Sequence, residues 1–273
     1  MAENEFLTNA DFEQYRSLIY NESGIHFTAT NRSILESRLK ERLREKGLNS
    51  VGDYFATISK DQGELKNFLD SITTNLTRFF RNQAQFDAME HHVIPELLNI
   101  KKESGNNTIK IWSAGCSTGE EPYTIAMMLS DILPASFKFE IVASDLSLKC
   151  LMIAKEGFYK DSQIVGIPDN YLSKYFDKVD GGYKICSKLM SNIRFDYHNL
   201  KHDSGLKGMD IVFCRNVIIY FDDVAQQAVI NRFWDALALK SFLFIGHSES
   251  LFGMDTKFEF VKTQWATLYR KFL

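Results

Sequence analysis

The segment Ser113-Ala114-Gly115-Cys116-Ser117-Thr118-Gly119-Glu120-Glu121-Pro122 follows a short apolar run and opens an amphipathic helical one. Small residues and two glycines at a strand-to-helix turn let a ligand come close to the backbone. Charge narrows the choice of ligand. A phosphate-binding loop carries Lys and Ser or Thr after its last glycine, where this chain has Glu120 and Glu121. A dinucleotide fingerprint needs glycine where this chain has Ser117. The turn therefore suits a nucleoside, while its two carboxylates argue against a polyphosphate. S-adenosylmethionine meets both conditions: it has an adenosine, no phosphate, and ammonium and sulfonium cations, with Glu120 placed to hold the ammonium. The alternative is that both glutamates serve only the positive end of the helix dipole.

A further acid closes the next apolar run, Ala143-Ser144-Asp145. At the tip of the second strand of a nucleoside-binding sheet, such a carboxylate accepts hydrogen bonds from ribose hydroxyls. Asp145 also has the position of a helix cap before Leu146-Ser147. The glycine turn one strand earlier favours the ribose role.

These residues need a sheet to position them, and the hydrophobic pattern supplies one. Ile109–Ser113, Phe139–Ser144, Asp210–Cys214 and Phe242–Gly246 are apolar runs separated by helical stretches, which predicts a parallel sheet with helices on both faces. Phe258–Lys262 and Ala266–Phe272 lie too close together for a crossover helix and predict a terminal antiparallel hairpin. Weak strands at Tyr183–Cys186 and Asn192–Phe195 predict a small antiparallel insert at about 166–198. Before all this, residues 5–75 read as helices only. Phe12, Tyr15, Leu18 and Ile19 recur at helical spacing up to Gly24, a second helix runs from near Asn31 to Gly47, and Val51–Ile58 and Leu65–Ile72 make two more. The expected organisation is a helical N-terminal domain, 1–75, and a ligand-binding domain, 76–273, carrying the insert.

Composition bounds the possible functions. The chain has 273 residues, 45% hydrophobic and 25% charged, with a net charge of -3, which disfavours a general nucleic-acid binder. Met1 to Glu5 lacks a leader's basic start and apolar stretch, and no apolar run approaches membrane-spanning length. Cys116, Cys150, Cys186 and Cys214 are scattered without zinc or redox spacing, so a reduced, cytoplasmic protein without a metal is expected. His198 and His202 lack a zincin glutamate, and His91-His92 has no partner of ligand type nearby. Gly246-His247-Ser248-Glu249-Ser250 imitates a hydrolase elbow but lacks the final glycine and any later histidine.

Together with Ile72–Asn82 (ITTNLTRFFRN), Ile211–Asp222 (IVFCRNVIIYFD) and Phe242–Leu251 (FLFIGHSESL), the glycine turn and the Asp145 strand resemble the CheR family, chemotaxis methyltransferases acting on glutamates of bacterial chemoreceptors. The resemblance runs from about Phe12 to Tyr269. It implies a class I S-adenosylmethionine-dependent methyltransferase fold, doubly wound with a terminal antiparallel hairpin, plus the all-α domain and the β insert. It also implies a site: Asn75, Thr77, Arg81, Ala114, Glu120, Asp145, Asn199, Leu200, Asn216 and Val217 at the cofactor, with Arg81 and Tyr220 at the methyl-transfer centre. S-adenosylhomocysteine would be the product, and the implied partner is the cytoplasmic helix bundle of a receptor, with no nucleic acid and no membrane insertion. In the family the insert can dock a peptide at the receptor's C-terminus. Where the family usually has a Pro-Gly-Gly turn before the GHSES strand, this chain has Ala238-Leu239-Lys240-Ser241.

The chemistry explains why no His–Asp or Cys–His pair stands out. A glutamate acceptor, with a pKa of about 4.3, is already ionised at neutral pH and needs no general base. The enzyme must position it, and Arg81 suits that task because a guanidinium grips a carboxylate through paired hydrogen bonds. On the helix Asn31–Lys46, Arg38 and Arg42 flank the apolar stripe Ile34, Leu35, Leu39 and Leu43, placing them to meet an acidic receptor helix, whereas Lys40 and Arg44 fall on the solvated side. Rival functions are a nucleic-acid methyltransferase, a methyltransferase of another protein, and a non-catalytic cofactor-binding module. The first lacks an Asn-Pro-Pro-Tyr-like motif at Asn216-Val217-Ile218-Ile219. The last would more naturally have lost Arg81 or Asp145.

Overall fold

The computed structural model describes residues 5–73 and 75–272; Met1–Asn4, read above as carrying no leader, and Thr74, inside the Ile72–Asn82 motif, lie outside the described residues. The chain forms two compact units, Met1–Thr74 with Tyr220–Ala225, and Asn75–Ile219 with Gln226–Leu273.

The first unit contains α1 (Asn9–Ser23), α2 (Arg32–Lys46), α3 (Val51–Ile58) and α4 (Gln62–Ile72). Their ends follow from local chemistry. Thr8 and Asp11 form a reciprocal capping box at the start of α1, and Gly24 ends it in the left-handed conformation, φ 79°. Ser50 caps α3, and Asp61 caps α4 by accepting from the N–H groups of Gly63 and Glu64. The helices close over Tyr15, Leu35, Leu39, Tyr54 and Phe68, all essentially inaccessible. The Tyr15 hydroxyl donates to the Val51 carbonyl at 2.7 Å, satisfying its one polar atom in this core. Tyr220–Ala225 joins by an antiparallel bridge between Ile25 and Phe221 and by His26 N–H donating to the Tyr220 carbonyl at 2.8 Å.

The second unit begins with α5 (Gln83–Ala88), which passes through a π turn into α6 (Ile94–Ser104). Then follow β1 (Thr108–Ala114), α7 (Glu120–Ile132), β2 (Lys138–Asp145), α8 (Leu148–Glu156), β3 (Phe158–Tyr159), α9 (Asp169–Tyr175), β4 (Phe176–Val179), β5 (Gly182–Ile185), α10 (Ser187–Met190), β6 (Ile193–Tyr197) and β7 (Met209–Cys214). The chain ends in α11 (Asp223–Ala236), β8 (Leu237–Ile245), β9 (Glu259–Lys262) and β10 (Thr267–Lys271). Seven strands form one sheet in the order β6-β2-β1-β7-β8-β10-β9. The first five run parallel, and β10 pairs antiparallel with both β8 and β9, as the two closely spaced C-terminal runs predict. Every residue of β7 is buried, so this central strand is covered on both faces.

Two sequence-based expectations need correction. The sequence pattern places Asn192–Phe195 in the antiparallel insert, but β6 pairs parallel with β2, from Ile141 opposite Ile193 to Asp145 opposite Tyr197. The small sheet instead has the order β3-β5-β4 and starts at Phe158, before the expected boundary. The reason lies in the pattern. As an edge strand, β6 buries only Phe195 fully and carries polar Arg194 and Asp196. Alternation of this kind marks any half-buried strand and leaves its partner open.

Candidate active site

The sheet grows from β1 in both directions, through β2 on one side and β7 on the other. The carboxyl ends of β1 and β7 thus meet at a topological switch point, where open α/β sheets bind ligands. The glycine turn leaves β1 there. Gly115 has φ 83° and Gly119 φ 96°. A Cβ on Gly115 would overlap a Val217 methyl, and one on Gly119 would lie 2.9 Å from the Ala154 Cβ and 3.0 Å from the Tyr159 hydroxyl. Only glycine lets the turn lie this close to the β7 loop on one side and α8 on the other.

Hydrogen bonds fix the turn. The N–H groups of Gly115 and Cys116 donate to the Ser144 carbonyl at 2.8 and 3.0 Å. The two carboxylate oxygens of Asp145 accept from Ser117 N–H and Ser147 N–H, each at 2.8 Å. Asp145 thus holds the turn and the Ser147 cap of α8. The Ser117 hydroxyl donates to the Asn75 carbonyl at 3.2 Å, which ties the segment of Asn75, Thr77 and Arg81 to the turn. Ser117 does this from the left-handed region, φ 48°. Ala114 is fully buried at the end of β1.

The two glutamates have different environments. Glu120 is 3% exposed, and the Thr118 hydroxyl reaches both of its carboxylate oxygens, at 2.9 and 2.7 Å. Burial raises its pKa, with the Thr118 bond opposing. Glu121 points toward β7, accepting from the Ser113 hydroxyl at 2.7 Å with the Arg215 guanidinium 3.6 Å away. Burial raises its pKa too, against the attraction of Arg215 and the Ser113 bond. Cys116 and Cys214 are pushed well up by burial and so remain thiols rather than nucleophilic thiolates.

Asn216 and Val217 follow β7, with Asn216 at φ 59° and its Oδ1 buried without a hydrogen-bond partner. Arg215 donates from Nη2 to the Arg81 carbonyl, while the Arg81 side chain donates from Nη1 to the Leu76 carbonyl at 2.8 Å. Asn199 and Leu200 follow β6. They come near the same sheet edge because His198 N–H donates to the Asp145 carbonyl at 3.0 Å. The side chain of Asn199 accepts from Lys201 N–H at 2.9 Å, and Leu200 is buried. The expected cofactor residues therefore gather at one end of one sheet.

Three of the expected site residues lie in the helical unit, Arg38 and Arg42 on the helix that the sequence assigns them. Tyr220 belongs to it through the His26 bond. Arg38 is 42% exposed and pairs with Glu41 at 3.4 Å. Arg42, expected to meet substrate, has its guanidinium committed within the unit to Glu64, Glu45 and the Tyr54 hydroxyl. Flanking an apolar stripe is what brought it within reach of the buried Glu64.

Glu249 is a residue that sequence reasoning misses. Its carboxylate accepts four backbone N–H groups, from Asn216 at 2.9 Å, Val217 at 3.0 Å, Ile219 at 3.3 Å and Gly246. Its one signal in the sequence is Gly246, three residues earlier.

An S-adenosylmethionine molecule fits what is present. Among the described residues no cation lies at hydrogen-bonding distance from the buried Glu120 carboxylate, Asn216 offers a buried orphan acceptor, and no Lys or Arg stands in the turn to hold phosphate. Residues 75–267 match the family described as CheR methyltransferase, SAM binding domain, and residues 10–73 match CheR methyltransferase, all-alpha domain. The chain is 35% identical to a chemotaxis protein methyltransferase of Borreliella burgdorferi, over 90% of each chain. It is 34% identical to the protein of that name from Escherichia coli K12, covering 94% of this chain and 90% of the relative. Chemotaxis protein methyltransferase 2 of Vibrio cholerae is 30% identical, over 97% of this chain and 94% of the relative.

Proposed function

This chain belongs to the CheR methyltransferase family, and we propose that its acceptor is a glutamate side chain on the cytoplasmic helices of a chemoreceptor, converted to its methyl ester. It is an S-adenosylmethionine-dependent methyltransferase of chemotaxis with the class I fold and an all-α N-terminal domain. The bound cofactor supplies an electrophilic methyl group on a sulfonium.

The chain's own residues then have positional tasks. Glu120 binds the ammonium and relieves its own uncompensated burial. Asp145 orients the ribose, with Asn75 and Thr77 beside the turn and Asn199 and Leu200 toward the adenine. Asn216 and Val217 close the other side. Arg81 orients the acceptor carboxylate in line with the methyl group and Tyr220 shapes the acceptor's approach. Arg38, half exposed on α2, steers an acidic helix, whereas Arg42 is engaged inside the unit. No proton need be moved, because the acceptor is already ionised. Among the described residues no helix is long and apolar enough to cross a membrane, which accords with action on the cytoplasmic part of a receptor.

The observation that carries this reading is the buried, cation-deficient Glu120 beside a phosphate-incompetent glycine turn. The test is transfer of labelled methyl from S-adenosylmethionine to a purified receptor cytoplasmic domain, with Arg81→Ala in parallel. Base-labile label on receptor glutamates is expected, reduced about a hundredfold or more in the variant. Cofactor binding without receptor labelling would overturn the acceptor and leave the cofactor site standing.

A further inference from the structure

The hydrogen bonds of Glu249 are divided evenly between its two oxygens. Oε1 accepts from Val217 and Ile219, and Oε2 from Asn216 and Gly246. One carboxylate thus spans the loop after β7 and the turn after β8. The loop it holds is strained, since Asn216 is left-handed, φ 59°. That conformation persists only where surrounding bonds over-determine it. The same loop presents Val217 to Gly115, so closely that a Cβ there would overlap it. Gly246 completes the device. A Cβ at this position would overlap Glu249 Oε2 and lie 2.8 Å from Asn216 N.

We infer that Glu249 is a positioning residue for S-adenosylmethionine, fixing the Asn216–Val217 wall of the pocket through backbone N–H groups without touching the ligand. This rests on the reading of Asn216 and Val217 as cofactor contacts. The requirement is for four acceptor sites of an ionised carboxylate, not for bulk. Glutamine has the same shape, but its amide nitrogen carries donors and would confront one of the two N–H pairs. The geometry therefore makes Glu249→Gln nearly as harmful as Glu249→Ala, whereas a packing role would leave Glu249→Gln close to wild type.

The experiment measures S-adenosylhomocysteine binding by calorimetry to the full chain as wild type, Glu249→Gln, Glu249→Ala and Gly246→Ala. Hydrogen exchange of the peptide covering 214–220 is followed in each. Binding about tenfold or more weaker is expected in all three variants, since donors lose their acceptors. Exchange should be faster across 214–220 and unchanged in α6 and in β1. Gly246→Ala keeps the carboxylate and displaces it, so it tests the geometry without deleting the group. Steady-state kinetics should show KM for S-adenosylmethionine raised and KM for receptor unmoved. Wild-type-like binding by Glu249→Gln would overturn the inference while leaving the cofactor site intact. Failure of the wild type itself to bind would overturn both, and is thereby distinguishable.

Discussion

Each unit buries a glutamate, and the two are treated in opposite ways. Glu64, in the helical unit, has no exposed side-chain surface, and its oxygens meet Arg42, Lys46 and the Tyr54 hydroxyl. Burial alone would raise its pKa, but hydrogen bonds from Lys46, Arg42 and Tyr54 bring it down to about 2. Glu120, in the glycine turn, has the Thr118 hydroxyl and its own backbone N–H as donors and, among the described residues, no cation within ion-pair distance, and burial leaves its pKa raised. A buried charge is tolerated only when paired and hydrogen-bonded. Glu64 is completed by its own chain and so supports the fold. Glu120 is left incomplete, which costs the free protein stability and makes a cationic ligand its natural complement.

The largest effect expected from this contrast is that of Glu64→Ala. Removing this carboxylate leaves Lys46 without its partner and Arg42 with Glu45 and the Tyr54 hydroxyl alone, at a cost of about 3 kcal/mol. The units can be watched separately, because Trp112, Trp234 and Trp265 all lie in the sheet unit. Far-UV circular dichroism in urea should show early loss of helix, with the tryptophan fluorescence transition retained. An unmoved dichroism midpoint would sink the structural role. The wild type should show the same dependence on pH. Since the folded pKa is depressed, the stabilisation is complete above the unfolded value of 4.5 and is lost as pH falls toward about 2. The loss across that window is about 3 kcal/mol.

Glu120→Gln should behave in the opposite sense. The raised folded pKa means that the unfolded chain ionises first as pH rises, so the native protein bears a penalty at neutral pH. Neutralising the side chain removes that penalty, and stability should stay level or rise by up to about 1 kcal/mol. Affinity for S-adenosylhomocysteine should fall about tenfold, the loss of one charge-assisted hydrogen bond. In the wild type, affinity should weaken as pH falls through the raised pKa, and binding below it should release a proton. Calorimetry in buffers of different ionisation enthalpy reads that proton directly. If Glu120→Gln were strongly destabilised and bound normally, the two glutamates would be alike and the contrast would fail.

How legible each region was follows from the same physics. Helix ends were plain because caps are local: Gly24 and Gly47 each close a helix in the left-handed conformation. The central strands were plain because burial on both faces leaves near-continuous apolar runs, as in Met209–Cys214. The partner of β6 was not, since a half-buried edge strand pairs equally well with several neighbours on pattern alone. In the site, the glycine turn announced itself through residues adjacent in sequence. The contacts of Arg42 and Glu249 are not legible in sequence because their partners are distant, Glu64 being 22 residues away and Asn216 33. A sequence displays the groups that make contacts, while the fold decides which are already satisfied.

The finest test separates strain that positions ligand from strain that does not. Ser117 and Asn216 are left-handed at the switch point, and their N–H groups are held by Asp145 and Glu249. Lys240 is also left-handed, φ 58°. Opposite it the sheet is irregular: β7 advances from Met209 to Ile211 while β8 runs from Leu237 to Phe242. The Ser241 hydroxyl closes the bulge by donating to the Ala238 carbonyl at 2.6 Å. A Cβ in this conformation costs about 1–2 kcal/mol, partly offset by the greater freedom glycine has when unfolded. Lys240→Gly should therefore stabilise the chain by about 0.5–1 kcal/mol, read as a higher urea midpoint of tryptophan fluorescence. Its affinity for S-adenosylhomocysteine should stay within about twofold of wild type, as expected of a surface change away from the site. A loss of stability would show that the lysine side chain contributes more than its backbone conformation costs. A change in affinity would show that the β8 bulge and the pocket share their strain, and the division between supporting and ligand-seeking regions would then have to be redrawn within the sheet unit itself.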